Sequence, residues 1–287
     1  MAELPFVIAP PGDPAAAARL AVRAARQWGL PAPELLRTGM NALYTAGHDT
    51  VLRVGRPTAD PRAALWLGGL LADHGIRAPR FVRPDVAADD DGLVAFALER
   101  LHPVGEIDWH GVGRMVARVH ALDVDVVAAD HPAPVCWTFP WWHFDDLLAQ
   151  TSELIDAPAL AGITAAIERH SGWEHRSAPT VVCHGDVHPG NVIQTADGPV
   201  LLDWDLLCLG PAAWDHGPMM TMAEHWGGPP GEYAAFAEGY GRSMRGDDVA
   251  ESIAELRLVA ATLMRVRAGR TDPAAAAEAD RRLRRWR

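Results

Sequence analysis

The chain contains no lysine: all 26 basic residues among its 287 are arginine. That absence excludes Schiff-base chemistry and any lysine anchor for a phosphate. An Ala- and Arg-rich chain without lysine is also what a GC-rich genome encodes, so the bias is not by itself functional. Cysteine is scarce as well. Cys136, Cys183 and Cys208 are odd in number and far apart, which excludes a disulfide framework. Cys183 and Cys208 sit in apolar runs, where buried free thiols are expected, and the expected compartment is a reducing cytoplasm. No apolar run approaches the ~20 residues that span a bilayer. The opening MAELPFVIAPPGDP has no basic leader and no apolar h-region, so neither a signal peptide nor a membrane partner is expected.

What is present is an ordinary soluble balance, 49% hydrophobic and 22% charged, with a net charge of −11. The acidity argues against nucleic acid as a partner and is compatible with a cationic small molecule. It also serves solubility alone. The length exceeds that of a usual single-core domain, so one large domain or two lobes is expected, and oligomeric state is left open.

Periodicity and punctuation predict the elements. Residues 13–28 read as a helix capped by Asp13, with Pro14 in its first turn and Gly29 at its exit. Residues 34–54 break into three short apolar pieces around Gly39 and the turn AGHDT, which predicts three antiparallel strands. A helix is expected over 60–74, then strands near 80–83 and 93–98. Apolar spacing predicts helices near 108–122, 143–155, 158–170, 212–226, 230–245 and 247–268. The terminal RRLRRWR reads as a solvated helix end.

Within this helical half, residues 180–204 stand out. VVCHGDVHPGNVI packs two His, an Asp and an Asn into a loop between apolar runs, and VLLDWD follows. TADG between Val192-Ile-Gln and Val200-Leu-Leu predicts a hairpin. Centred on Asp197, it would place Asn191 directly opposite Asp203, with Cβ atoms about 4.5–5.5 Å apart. A carboxamide and a carboxylate are hard oxygen ligands of the kind Mg²⁺ prefers, and Mg²⁺ takes substrate phosphates as further ligands. Asp186 projects from the loop leading to the same end. A candidate base followed five residues later by a metal-binding Asn, then by a metal-binding Asp beyond the next strand, is the layout of kinase phosphoryl transfer.

HGDVHPGN, LLDWD and GPAAWDHG together resemble the aminoglycoside phosphotransferase and choline kinase-like family, distant relatives of protein kinases. The resemblance implies an α+β, two-lobed protein-kinase-like fold with a small antiparallel-sheet N-lobe and a larger, mainly helical C-lobe. Residues 1–98 would form the nucleotide-binding lobe, 99–102 a hinge and 103–287 the helical lobe with the acceptor site. It implies Mg²⁺-dependent transfer of the γ-phosphoryl of ATP or GTP to a hydroxyl. Asp186 would act on that hydroxyl, Asn191 and Asp203 would hold Mg²⁺, and His184, Asp205 and Asp215 would support the loop. His188 is a candidate phosphate or acceptor contact, and His120 in ARVHALD a packed structural histidine. Arg53 would take the phosphate-binding strand position, Gly39 and Asn41 the turn over the phosphates, and Glu99 and Leu101 the hinge facing the purine.

One departure from the family pattern concerns the helix after Arg53. Related kinases carry a Glu there to pair the strand cation, whereas the expected position is near Ala64. For the acceptor, a cationic antibiotic is one expectation and choline, homoserine or an amino sugar another. Trp141 and Trp142, with Trp137, could stack on an acceptor or form core. Glu224, with Glu232 and Glu238, could meet a polycation or simply be solvated. Two other classes compete. A metallophosphoesterase would use His184, Asp186 and His188 but needs further His and Asp clusters that are absent here. A binding-only pseudokinase would follow from the missing helix acid.

Overall fold

A computed structural model describes residues 14–175 and 178–287. Asp13, the expected cap of the first helix, lies outside the described residues. The fold is mixed α+β and falls into two compact units that interleave along the chain. One comprises Met1–Asp108, Asp125–Ala133 and Pro189–Asp205; the other comprises Trp109–Val124, Pro134–His188 and Leu206–Arg287.

The first unit is built on a five-stranded antiparallel sheet. In chain order its strands are β1 (Glu34–Thr38), β2 (Ala42–Thr45), β3 (Thr50–Gly55), β4 (Ala87–Ala88) and β5 (Val94–Glu99), and across the sheet they run β1-β2-β3-β5-β4. Helix α1 (Pro14–Gln27) covers this sheet. Its buried Ala16, Ala17, Leu20, Ala21, Ala24 and Ala25 recur at helical spacing and join Leu52, Val54 and Ala95 in one core. Helix α2 (Pro61–Asp73) begins where Asp60 accepts the Arg62 amide at 2.8 Å and Pro61 occupies the first turn. The strand expected near 80–83 is reduced to one isolated bridge, Phe81 to Leu98, and the edge strand forms instead at Ala87–Ala88. Pro84, with no amide hydrogen, interrupts the run between them.

The same unit contains a hairpin of β7 (Val192–Thr195) and β8 (Gly198–Leu201). Its register differs from the expected one. Val192 pairs with Leu201 and Thr195 with Gly198, so a two-residue turn, Ala196-Asp197, closes it. Gly198 takes the positive φ (115°) at the turn exit. The Leu202 amide donates to the Asn191 carbonyl at 2.8 Å, so Asn191 faces Leu202 rather than Asp203.

The second unit is helical around a two-stranded ladder of β6 (Thr180–Cys183) and β9 (Cys208–Pro211), with Cys183 opposite Cys208. Cys183 and Cys208 are free and buried, as expected, and so is Cys136. Its helices include α3 (Trp109–His120), α5 (Phe144–Thr151), α6 (Ala157–His170), α7 (Ala213–His225), α8 (Glu232–Tyr240), α9 (Asp248–Ala268) and α10 (Pro273–Leu283). A further short helix, α4 (Val124–Asp130), crosses the boundary between units along the chain and was not anticipated; of α10 only its end, within RRLRRWR, was expected. The α3–α8 backbones touch. A Cβ on Gly113 would stand 2.0 Å from the Phe236 carbonyl oxygen, and one on Gly239 1.9 Å from that of His110. Helix α8 stops short of the expected 245 because Gly241 turns left-handed, with φ of 100°. The expected 143–155 helix is α5 followed by a 3₁₀ turn at Ser152–Leu154. Among the described residues, no helix is long and apolar enough to cross a membrane.

Candidate active site

The loop after β6 is held by one buried carboxylate. Asp215, in the first turn of α7 and fully buried, accepts the His184 amide on Oδ2 at 2.8 Å and the Gly185 amide on Oδ1 at 2.7 Å. Nε2 of His120 lies 3.0 Å from the same Oδ2, and Nδ1 of His120 lies 2.9 Å from the Tyr240 hydroxyl. Burial alone would raise the Asp215 pKa. The His120 hydrogen bond and charge, then His184 and the Gly185 amide, more than offset it, so the carboxyl is held below its ordinary value. His184 is fully buried and accepts the Asp186 amide on Nδ1 at 3.3 Å.

Gly185 is required here by geometry. Its φ is 91°, and a Cβ would stand 1.9 Å from the Leu206 carbonyl oxygen. Gly185→Ala should therefore cost at least about 1–2 kcal/mol from φ alone. The clash adds to that, and the expected outcome is loss of activity with a lowered unfolding midpoint in urea. An alanine variant with natural activity and midpoint would contradict this account of the loop.

The loop presents Asp186 with its side chain 32% exposed. Oδ1 accepts Nη2 of Arg257 at 3.0 Å, and Oδ2 lies 3.3 Å from Nε2 of His188. Desolvation pushes its pKa up; the His188 hydrogen bond and then the Arg257 charge push harder in the other direction, leaving the carboxyl at about 2. Asp186 is therefore an anion at any physiological pH. Arg257 comes from the middle of α9 and was not anticipated. The sequence does carry a signal: in ELRLVAATL, a guanidinium sits between Leu256 and Leu258, both buried.

In the first unit, the chain leaves β8 through Asp203, the one non-glycine residue with positive φ (56°) among the described residues. A carboxylate residue in this left-handed region is a local strain of the kind that concentrates at working sites. The kink turns Asp203 out of the ladder whose register had been expected to place it opposite Asn191. Arg53, in β3, forms an ion pair with Oδ2 of Asp205 and lies 3.6 Å from Oδ1 of Asp203. The carboxylate on Arg53 thus comes from DWD and not from the following helix. Ala64, where the helix acid was sought, lines a cavity of about 100 Å³ with Arg53, Leu67, Phe96, Asp203 and Asp205. Asn191, Asp203 and Asp205 offer a carboxamide and two carboxylates, a donor set that suits Mg²⁺.

The remaining expected residues are placed as follows. The Gly39 amide donates to the Asn41 carbonyl at 3.0 Å, closing the turn between β1 and β2. Oδ1 of Asn41 lies against Gly55, at 1.9 Å from where a Cβ would be. The Glu99 amide donates to the Arg80 carbonyl at 2.9 Å and its carboxylate accepts Nε of Arg80 at 2.7 Å, while Leu101 is half-buried beyond it. Trp141 and Trp142 are buried, packed with Phe139, Trp173 and Trp214. Their rings are core surface here and not an open stacking platform. Glu224 is exposed and lies 4.0 Å from Nη1 of Arg245 and 3.6 Å from Nε2 of His225. Glu232 and Glu238 line a separate cavity of about 520 Å³ beside Met219, Met220, Tyr233 and Arg242.

The model of the phosphotransferase enzyme family matches residues 41–256. Solved structures share the fold. An aminoglycoside 2'-phosphotransferase, solved with GDP, superposes with a TM-score of 0.69 at 13% identity, over 91% of this chain and 95% of that one. A macrolide 2'-phosphotransferase from Brachybacterium faecium gives 0.58 at 20% identity, over 93% and 97%. A choline/ethanolamine kinase family protein from Mesorhizobium loti gives 0.63 at 16% identity, over 94% and 92%. No protein with a curated description matches the sequence significantly.

Proposed function

The chain belongs to the phosphotransferase enzyme family, and from that premise we propose that it is a small-molecule kinase. It transfers the γ-phosphoryl group of ATP or GTP to a hydroxyl of a small acceptor. The observation that carries this reading is Asp186. It is an anionic side chain on a loop whose backbone is fixed by Asp215, oriented at one oxygen by Arg257, with the other oxygen toward His188. Such a group suits an incoming alcohol: Oδ2 accepts the hydroxyl hydrogen bond and aims the oxygen at phosphorus. With a pKa of about 2, the carboxylate takes up the proton only as the new P–O bond forms. A loose, metaphosphate-like transition state asks for that, because early deprotonation adds little and positioning supplies the acceleration.

Arg53 binds the nucleotide phosphates. A guanidinium can serve there with two donors where an ammonium would present one point charge. Asn191 and Asp203 would hold Mg²⁺, which when bound neutralises the phosphate charge. The pairing of Arg53 with Asp205 supplies the carboxylate that the helix lacks, which removes the main sequence argument for a binding-only protein.

For the acceptor we propose a hydroxylated, amino-bearing antibiotic. Similar structures act on two such classes, aminoglycosides and macrolides, and the net charge of −11 favours a cation. A choline-type amino alcohol is the second reading, carried by the choline/ethanolamine kinase family protein. A nucleotide-consumption screen decides: ATP and GTP, each with Mg²⁺, against aminoglycosides, macrolides, peptide antibiotics, choline and amino sugars. Turnover with choline and none with antibiotics would overturn the first acceptor reading. Nucleotide-free phosphoester hydrolysis would overturn the kinase itself.

Arg53→Ala should weaken nucleotide binding at least about tenfold, which is about 1.4 kcal/mol. Titration of the variant with ATP and GTP measures this. An unchanged Kd would sink the assignment of Arg53 to the phosphates.

A further inference from the structure

A charged side chain in the middle of a buried helix face has to be explained by what it touches. Arg257 lies within the 21-residue helix α9, flanked by the buried Leu256 and Leu258. Its side chain is only 10% exposed. Its guanidinium carbon stands 4.8 Å from the ring centre of Trp141 and 5.2 Å from that of Trp214. Beyond the indoles, the fork closes on the loop. Nη1 donates to the Gly185 carbonyl and Nη2 to Oδ1 of Asp186, each at 3.0 Å.

Burying a guanidinium costs several kcal/mol unless its hydrogen bonds and charge are matched. Here the matching partners are one catalytic-loop carbonyl and one carboxylate oxygen, 72 and 71 residues away along the chain. The planar fork fixes both at once, so the direction of the Asp186 carboxylate is coupled to the backbone that carries it. The two indole faces hold the guanidinium plane against rotation. Trp141 and Trp214 are in turn locked by Phe139, Trp142 and Trp173. This assigns a purpose to the tryptophan cluster: it is a rigid seat for a cation.

We propose that Arg257 is the positioning residue of this reaction, clamping Asp186 so that only Oδ2 is presented to the acceptor hydroxyl, with Trp141 and Trp214 holding the clamp. The inference rests on the reading of Asp186 as the group that meets the acceptor. Lysine cannot replace Arg257. An ammonium carries its three donors on one nitrogen, so it lacks the two separate nitrogens that meet the Gly185 carbonyl and Oδ1 in a fixed plane, and it lacks the flat face that packs against the two indoles.

The test uses the full chain with an acceptor from the screen. Arg257→Lys should fold with a natural unfolding midpoint and bind ATP or GTP within about twofold of the natural Kd. Its kcat should fall about 10- to 100-fold, the scale of a misplacement of about 1 Å. The charged and titratable groups facing Asp186 are His184 and His188 from its own loop, Arg257 from α9, and Asp215 through the loop backbone. Arg257→Gln, which removes the charge together with the fork, should raise the Asp186 pKa and so shift the acid limb of kcat upward from its natural place near pH 2, a readout that a merely structural role would not move. Arg257→Gln, which keeps one donor and loses the charge, is the second variant should the lysine form prove unstable. In the Asp186→Asn background, Arg257→Lys should cost nothing further. An Arg257→Lys enzyme with kcat within threefold of natural, or a loss that multiplies with that of Asp186→Asn, overturns the inference while leaving the kinase standing. Natural turnover by Asp186→Asn overturns the reading of Asp186 and this inference with it.

Discussion

Asp186→Asn should lower kcat by about 10³-fold, within the 10²–10⁴ range ascribed to a positioned proton acceptor, while the protein stays folded. The carboxamide matches the carboxylate in shape, and its oxygen can still accept Nη2 of Arg257, so the loop has no steric reason to move. What is lost is the negative charge and an oxygen able to accept the acceptor proton at the position of Oδ2. The measurement is steady-state turnover with nucleotide binding followed in parallel. A kcat within tenfold of natural would refute the role of Asp186. The same residue makes a prediction about pH. Its folded pKa of about 2 lies below the unfolded value of about 4. Its contribution to stability is therefore complete above about pH 4 and disappears as pH falls toward 2. Titration of Asp186 should accordingly leave no acid limb in kcat between pH 5 and 8, and Asp186→Asn should flatten the stability profile only below about pH 4.

Asp215→Ala should produce the largest loss of stability, about 3–5 kcal/mol, because two buried amides and a buried imidazole lose their acceptor at about 1–3 kcal/mol each. Asp215 is fully buried and serves three donors: the amides of His184 and Gly185 and, through Nε2, His120. Alanine would orphan both amides and remove the acceptor beside His120, so the loop after β6 and the α3–α8 core should loosen together. Urea denaturation with an aromatic fluorescence probe would measure the loss, since Trp141, Trp142, Trp173 and Trp214 all lie in the same unit. A destabilisation below about 1 kcal/mol would mean that the brace is dispensable. Because the Asp215 pKa is lowered in the folded state, its share of stability is present above the unfolded pKa of about 4 and is lost as pH falls below it. The variant should thus also lack part of the natural acid-unfolding transition.

Much of the molecule was readable along the chain. Asp60-Pro61 announced α2, the small-residue stripe of 14–27 announced α1, and AGHDT announced the β2–β3 turn, because caps, turns and amphipathic faces are decided by near neighbours. The spacing of Asp186, Asn191 and Asp203 was equally local. The failures also have physical causes. The β7–β8 register was placed one residue out because the turn closes in two residues, Ala196-Asp197, and is not centred on Asp197. That shift would put Asp203 off the face of Asn191 in a regular strand; the left-handed φ of Asp203 removes it from the strand altogether. A strand was expected at 80–83 from the polar turn that follows, yet Pro84 interrupts the run and one isolated bridge, Phe81 to Leu98, forms there.

The sequence by itself determined which chemical groups are available and in what order: hard oxygen donors, a loop carboxylate, arginine as the sole basic side chain, and no disulfide. It also determined most of the helices. Tertiary structure alone decided which charges meet. Arg53 finds Asp205 across 152 residues and Asp186 finds Arg257 across 71. No periodicity encodes such pairs, because a buried charge chooses its partner by the shape of the space left when helices and sheets have packed, and that shape exists only after the chain has folded.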